Sequence, residues 1–142
     1  MPEAEAAMPF DAFEGLVLCI EDDPVGMAMV EAIVADFPQV RLLKAGSGRE
    51  GVRLALAERP DLVLLDMRLP DISGLDVVRA LSAAIAEQGL RVVLLTADTF
   101  SIEVVKAMSL GAREYWPKPL THAKAAEGMQ RLLALREGGS PA

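Results

Sequence analysis

From residue 15 onward, short aliphatic runs alternate with longer stretches of helical spacing. The runs at 16–20, 40–43, 62–65, 91–95 and 113–116 have the length and composition of strands. Between them, apolar side chains recur three and four residues apart. The sets are Val30, Ile33 and Val34; Val52, Ala55 and Leu56; Leu75, Val78, Leu81 and Ile85; Ile102, Val105 and Met108; and Met129, Leu132 and Leu133. Each set predicts one buried helix face. Pro38, Gly46, Gly48, Pro60, Gly74, Gly89, Gly111 and Pro119 punctuate the alternation.

Strands that are apolar along most of their length are buried on both faces. Five β/α units in succession therefore predict an α/β fold, a parallel sheet with helices packed on both sides. One domain is expected over 15–137, between a disordered acidic tail at 1–14 and a second disordered tail at 138–142.

Composition narrows the picture. The length, 142 residues, suits one domain, and an aromatic content of 4% makes the expected core aliphatic. A mean hydropathy of +0.31 raises the question of a membrane protein. No uninterrupted apolar run reaches the ~18 residues a membrane span needs. The start of the chain carries Glu3, Glu5, Asp11 and Glu14 with no basic residue, the wrong charge for a signal or transit peptide. A cytoplasmic protein is expected. A net charge of −7 argues against broad electrostatic attraction to nucleic acid or anionic lipid, so neither is expected as a direct partner. Cys19, the sole cysteine, lies inside an apolar run and reads as an inert buried residue. His122, the sole histidine, reads as a surface residue near the start of the last helix, and multi-histidine metal sites are excluded.

In open parallel sheets, chemistry gathers beyond the carboxyl ends of the strands. The first run here ends in Glu21, Asp22 and Asp23, the third in Asp66, the fourth in Thr96 and the fifth in Lys118 and Pro119. Parallel strands would bring all four endings to one edge. Two carboxylates ~4 Å apart repel by about 4 kcal/mol at an effective dielectric near 20, so such a cluster calls for a compensating cation. Lys118 supplies one charge. An all-oxygen donor set favours Mg²⁺, with Mn²⁺ as a substitute, over zinc for the second. Asp23, just before Pro24, also fits a helix N-cap. Asp66 has no such ordinary role, because it terminates Leu62-Val63-Leu64-Leu65, where an unpaired charge is costly.

Four fragments in order resemble the receiver domains of two-component response regulators. They are Val17-Leu-Cys-Ile-Glu-Asp-Asp-Pro24, the stretch from Pro60 through Asp66 to Gly74, Val92-Val-Leu-Leu-Thr-Ala97, and Gly111-Ala112 followed by Lys118-Pro119. The resemblance covers about residues 16–136. It implies a flavodoxin-like, doubly wound five-stranded parallel sheet in the order 2-1-3-4-5. It implies that Asp66 accepts a phosphoryl group from a sensor histidine kinase or a histidine phosphotransfer protein. Asp22, Asp66 and the backbone carbonyl of Met67 would hold Mg²⁺, with Glu21 acting through a water. Lys118 would pair with Asp66 and then with the phosphoryl group, to which Thr96 would donate its hydroxyl. Tyr115 matches the family's switch aromatic, and the Lys118–Pro119 bond is expected to be cis.

Some positions depart from the family pattern. Trp116-Pro117 stands where a smaller aliphatic and a polar residue are common, and Leu120 replaces a frequent aromatic. Arg68 and Asp98 follow Asp66 and Thr96 by two residues each. They are positions that modulate hydrolysis, and they are candidates for an ion pair across the site entrance. Met27, outside the expected core face of the first helix, is expected to face a donor protein. The protein is expected not to be a turnover enzyme, catalysing only its own phosphorylation and dephosphorylation. A stand-alone response regulator acting on an unknown downstream protein is expected. The alternative is a receiver excised from a hybrid histidine kinase, whose terminal receivers resemble Cys19-Ile-Glu-Asp-Asp-Pro24. An aspartyl-phosphate hydrolase is a remote alternative, since it needs a second acid where Arg68 stands.

Overall fold

Five of the expected strands form in a computed structural model that describes residues 9–135. They are β1 (Phe13–Ile20), β2 (Val40–Ala45), β3 (Leu62–Asp66), β4 (Arg91–Thr96) and β5 (Glu114–Pro117). All pair in parallel, in the order β2-β1-β3-β4-β5. A two-residue strand, β6 (Ala134–Leu135), adds antiparallel pairing to the first residues of β1, Phe13 opposite Leu135 and Glu14 opposite Ala134.

Six helices connect the strands: α1 (Pro24–Ala35), α2 (Gly48–Glu58), α3 (Gly74–Ala80), α4 (Ser82–Gln88), α5 (Ile102–Ser109) and α6 (His122–Leu132). Most start on a side chain that satisfies a free N–H of the first turn. Asp23 accepts from Val25 ahead of a proline at N1, Ser47 from Glu50, Ser101 from Val104 and Thr121 from Lys124. Ser73 and Asp76 form a reciprocal capping box on α3.

Alternation along the strands sorts the core into two layers. Val17, Cys19, Leu62, Leu64, Val93 and Leu95 face α1 and α6, where they meet Val30, Ile33, Val34, Met129 and Leu132. Leu18, Ile20, Val63, Leu65, Val92 and Leu94 face α2 to α5 on the other side. The result is the doubly wound α/β architecture expected from the runs.

Three expectations about burial need correction. Ile102 and Val105 are 68% and 62% exposed, and α5 turns Val104 and Ala107 to the sheet instead. Leu56 is 52% exposed, while α2 packs through Ala55, Gly48 and Gly51. On these short helices the apolar residues outnumber what one face can bury, so spacing alone admits more than one stripe. The third correction concerns the tail placed at 1–14. Residues 10–12 form a 3-10 turn, Ala12 and Phe13 are buried, and Phe10 stacks on Phe37 with ring centroids 4.4 Å apart. Packing of Phe10 and Phe13 on Phe37, just after α1, orders this segment despite its acidic neighbours. Residues 1–8 and the tail placed at 138–142 lie outside the described residues.

Candidate active site

Parallel pairing brings the strand ends together as the motif order requires. Glu21 and Asp66 are buried polar residues at the ends of β1 and β3, only 3% and 4% exposed. Asp22 is exposed beside them, and carboxylate oxygens of Glu21, Asp22 and Asp66 lie within 4.8 Å of one another. Lys118, just after β5, reaches back between the two buried acids. Its Nζ stands 3.1 Å from Asp66 Oδ1 and 3.6 Å from Glu21 Oε1. The Lys118 N–H donates to the Thr96 carbonyl at 2.8 Å, which ties the lysine to the end of β4. The Lys118–Pro119 bond is cis, as expected.

Around Asp66 the backbone is drawn in tightly. Asp66 Oδ1 accepts the Arg68 N–H at 3.1 Å, and the Met67 N–H donates to the Leu95 carbonyl at 3.2 Å. The Met67 carbonyl accepts the Gly74 N–H at 3.2 Å. A Cβ at Gly74 would stand 2.7 Å from Met67 Cα, so only glycine lets this loop close. Asp71 then fastens the loop to α2, accepting the Gly48 and Arg49 N–H groups at 2.8 and 2.9 Å. Those bonds, the one from Arg49 first, hold its carboxyl down to about 2. Sequence reasoning assigned Asp71 no role, because a remote cap leaves no local motif.

Electrostatics follow from the crowding. Burial pushes the Glu21 carboxyl up to about 7, and the adjoining Asp66 pushes the same way through a hydrogen bond and its charge; Lys118 pulls it down. Burial opposes the charge on Lys118, but Asp66, with Glu21, outweighs it and raises the lysine above its ordinary value. Cys19 lies in the core below, where burial lifts its thiol to about 12, in keeping with an inert residue.

Thr96 is 6% exposed, and its hydroxyl donates to the Asp98 carbonyl and accepts the Asp98 N–H, both at 3.1 Å. Tyr115 sits on the surface, 44% exposed. Arg68 and Asp98 line the same cleft of about 300 Å³ as the acids, Thr96 and Lys118. The expected ion pair between them is not among those formed by the described residues. Asp98 Oδ1 instead accepts the Phe100 N–H at 3.1 Å in an Asx turn.

Met27 also departs from expectation. It is partly buried against the α1 core, while Val25 and Met29 are the exposed apolar residues of that helix, at 75% and 41%. With Leu120 and Pro119 they line an apolar groove of about 430 Å³ that ends at Lys118. Trp116 is buried beneath α6 and donates its indole N–H to Glu114 at 2.7 Å, so it does not extend that groove.

Comparison with known proteins agrees with this geometry. The family described as the response regulator receiver domain matches residues 17–130. The DNA-binding response regulator MtrA of Mycolicibacterium smegmatis is 36% identical over 109 residues, which are 77% of this chain and 46% of that protein. Protein PilH of Pseudomonas aeruginosa is 29% identical over 118 residues, 83% of this chain and 97% of that protein. The receiver domain of the sensor histidine kinase PA1611 from P. aeruginosa, solved with a magnesium ion coordinated in its active site cleft, superposes with a TM-score of 0.75. That match is at 27% identity and covers 84% of this chain and 97% of the other. The chain spans about half the length of the curated MtrA relatives it matches.

Proposed function

Because this chain belongs to the response regulator receiver domain family, we propose that Asp66 accepts a phosphoryl group from a phosphohistidine donor in a Mg²⁺-dependent reaction. The observation that carries this is Lys118 Nζ at 3.1 Å from a buried Asp66, in a cleft that Glu21, Asp22 and Thr96 also line. An Asp66 carboxylate oxygen attacks phosphorus in line, the P–N bond to the donor imidazole breaks, and the acyl phosphate remains on Asp66.

The donor set fits a hard divalent cation. Asp22 and Asp66 would hold it directly and Glu21 through a water, and Mn²⁺ would fit the same oxygens. The Met67 carbonyl, first expected as the backbone ligand, is occupied by the Gly74 N–H, whereas the Arg68 carbonyl accepts no hydrogen bond from the described residues and is the better candidate. When bound, Mg²⁺ supplies the positive charge that offsets the carboxylates and the incoming phosphoryl oxygens. Lys118 orients Asp66 and then meets the transferred group. The Thr96 hydroxyl leaves Asp98 to donate to a phosphoryl oxygen, and Tyr115 follows it inward. Arg68 and Asp98, at the mouth of the cleft, modulate access of the hydrolytic water.

The donor is a sensor histidine kinase or a histidine phosphotransfer protein, meeting the groove of Val25, Met29 and Leu120. The output is a downstream protein that reads the switched surface, in the cytoplasm; no helix among the described residues is long and apolar enough to cross a membrane. The chain turns over no separate substrate beyond its phosphodonor. A stand-alone role is supported by PilH, which this chain covers almost wholly. The half-length match to MtrA favours the second reading, a receiver within a longer protein.

Acetyl phosphate with Mg²⁺ is expected to add one phosphoryl group, read by intact mass. Asp66→Asn or chelation should abolish the gain. Undiminished labelling of Asp66→Asn would remove the assignment.

A further inference from the structure

Gly26 lies in the first turn of α1, directly behind the acidic cluster. A Cβ built on it would stand 2.7 Å from Glu21 Oε1, 2.9 Å from Cδ and 3.3 Å from Cγ. Glu21 has little other room, since its side chain is 1% exposed. Its Oε2 accepts the Asp23 N–H at 3.3 Å, and Oε1 is the atom that faces Lys118. The backbone of Gly26 does not itself demand glycine, for it is not among the positive-φ residues. A glycine inside a helix costs about 1 kcal/mol relative to alanine. What calls for a bare Cα here is the carboxylate beside it.

We propose that Gly26 is a positioning residue. The space it leaves lets a glutamate at the first acidic position reach Lys118, and it sets where that carboxylate stands relative to Asp22 and Asp66. This rests on the Mg²⁺-dependent reading above. The three atoms nearest to an added methyl group all belong to the Glu21 side chain, so the carboxylate moves before the helix does. Gly26 also floors the groove of Val25 and Met29. A small phosphodonor is therefore the right probe, since it does not use that groove.

The test compares the wild type, Gly26→Ala, Glu21→Asp and the double variant. Mg²⁺ affinity is read by titration calorimetry, labelling by acetyl phosphate, and metal-free stability by thermal melts. Gly26→Ala is expected to weaken Mg²⁺ binding roughly tenfold, the scale found for partners that orient metal ligands. The double variant, with a side chain shorter by one methylene, should recover most of that loss. Gly26→Ala binding Mg²⁺ like the wild type, or a double variant no tighter than Gly26→Ala, overturns the proposal. Should Gly26→Ala melt too low to titrate, the double variant must melt above it, and an equal or lower melting temperature overturns the proposal. A wild type that fails to bind Mg²⁺ removes the functional reading instead, and the metal-free melts then decide the Gly26–Glu21 fit by themselves.

Discussion

Glu21→Gln in the metal-free protein probes the electrostatics of the cluster most directly. Burial and Asp66 raise the Glu21 carboxyl from 4.5 to about 7. The unfolded chain releases this proton near the ordinary value, so between the two values the folded state holds a proton that the unfolded state has lost. Stability is therefore full below about 4.5 and falls as pH rises through about 7. At 1.36 kcal/mol per pH unit, the loss by pH 8 is on the order of 3 kcal/mol. The side chain is almost wholly enclosed, so solvent screening removes little of it. Glutamine keeps the shape and can still accept from Asp23 and Lys118, but carries no charge. The variant is expected to match the wild type at pH 4 and to exceed it by about 2–3 kcal/mol at pH 8. Urea titrations at both values, in chelator, measure the difference. Added Mg²⁺ should stabilise the wild type more than the variant, since the ion binds the native cluster and favours its charged form. Identical pH slopes for the two proteins between 4 and 8 would refute the reasoning.

Two further predictions concern surfaces the sequence left open. Val25→Glu should slow phosphotransfer from a phosphohistidine protein while acetyl phosphate labelling and the melting temperature stay unchanged, because the side chain is 75% exposed in the groove and an acid near a helix start is tolerated; equal loss with both donors would contradict a docking role. Gly128→Ala should lower stability by about 1–2 kcal/mol, since overpacking costs ~1–3 kcal/mol and the gain in helix propensity returns part of it. Its Cβ would lie 2.1 Å from the Trp116 ring, which is buried and held by Glu114, and a melt at or above the wild type would show that the indole can yield.

The sequence by itself determined the sheet and which residues gather at its edge. Runs such as Leu62-Val63-Leu64-Leu65 can be satisfied only by burial on both faces, and parallel pairing leaves Glu21, Asp66, Thr96 and Lys118 no edge but one. The cap at Asp23 was legible because Pro24 follows it and the interaction spans two residues. Contacts that depend on how a helix rolls against the sheet were decided only in three dimensions. Ile102 and Val105 share a helical stripe as good as that of Val104 and Ala107, and the choice between them rests on which small and branched side chains fit the second core layer. Met27 settled inward and Val25 outward for the same reason. Arg68 and Asp98 line one cleft without pairing, and Asp98 closes an Asx turn with Phe100 instead. The bonds from Gly48 and Arg49 to Asp71, and the close approach of Glu21 to Gly26, join residues through space with no periodic signal in the chain. Burial and charge are written residue by residue along a sequence, whereas clearance between two surfaces is a property of both, and it exists only once they have packed.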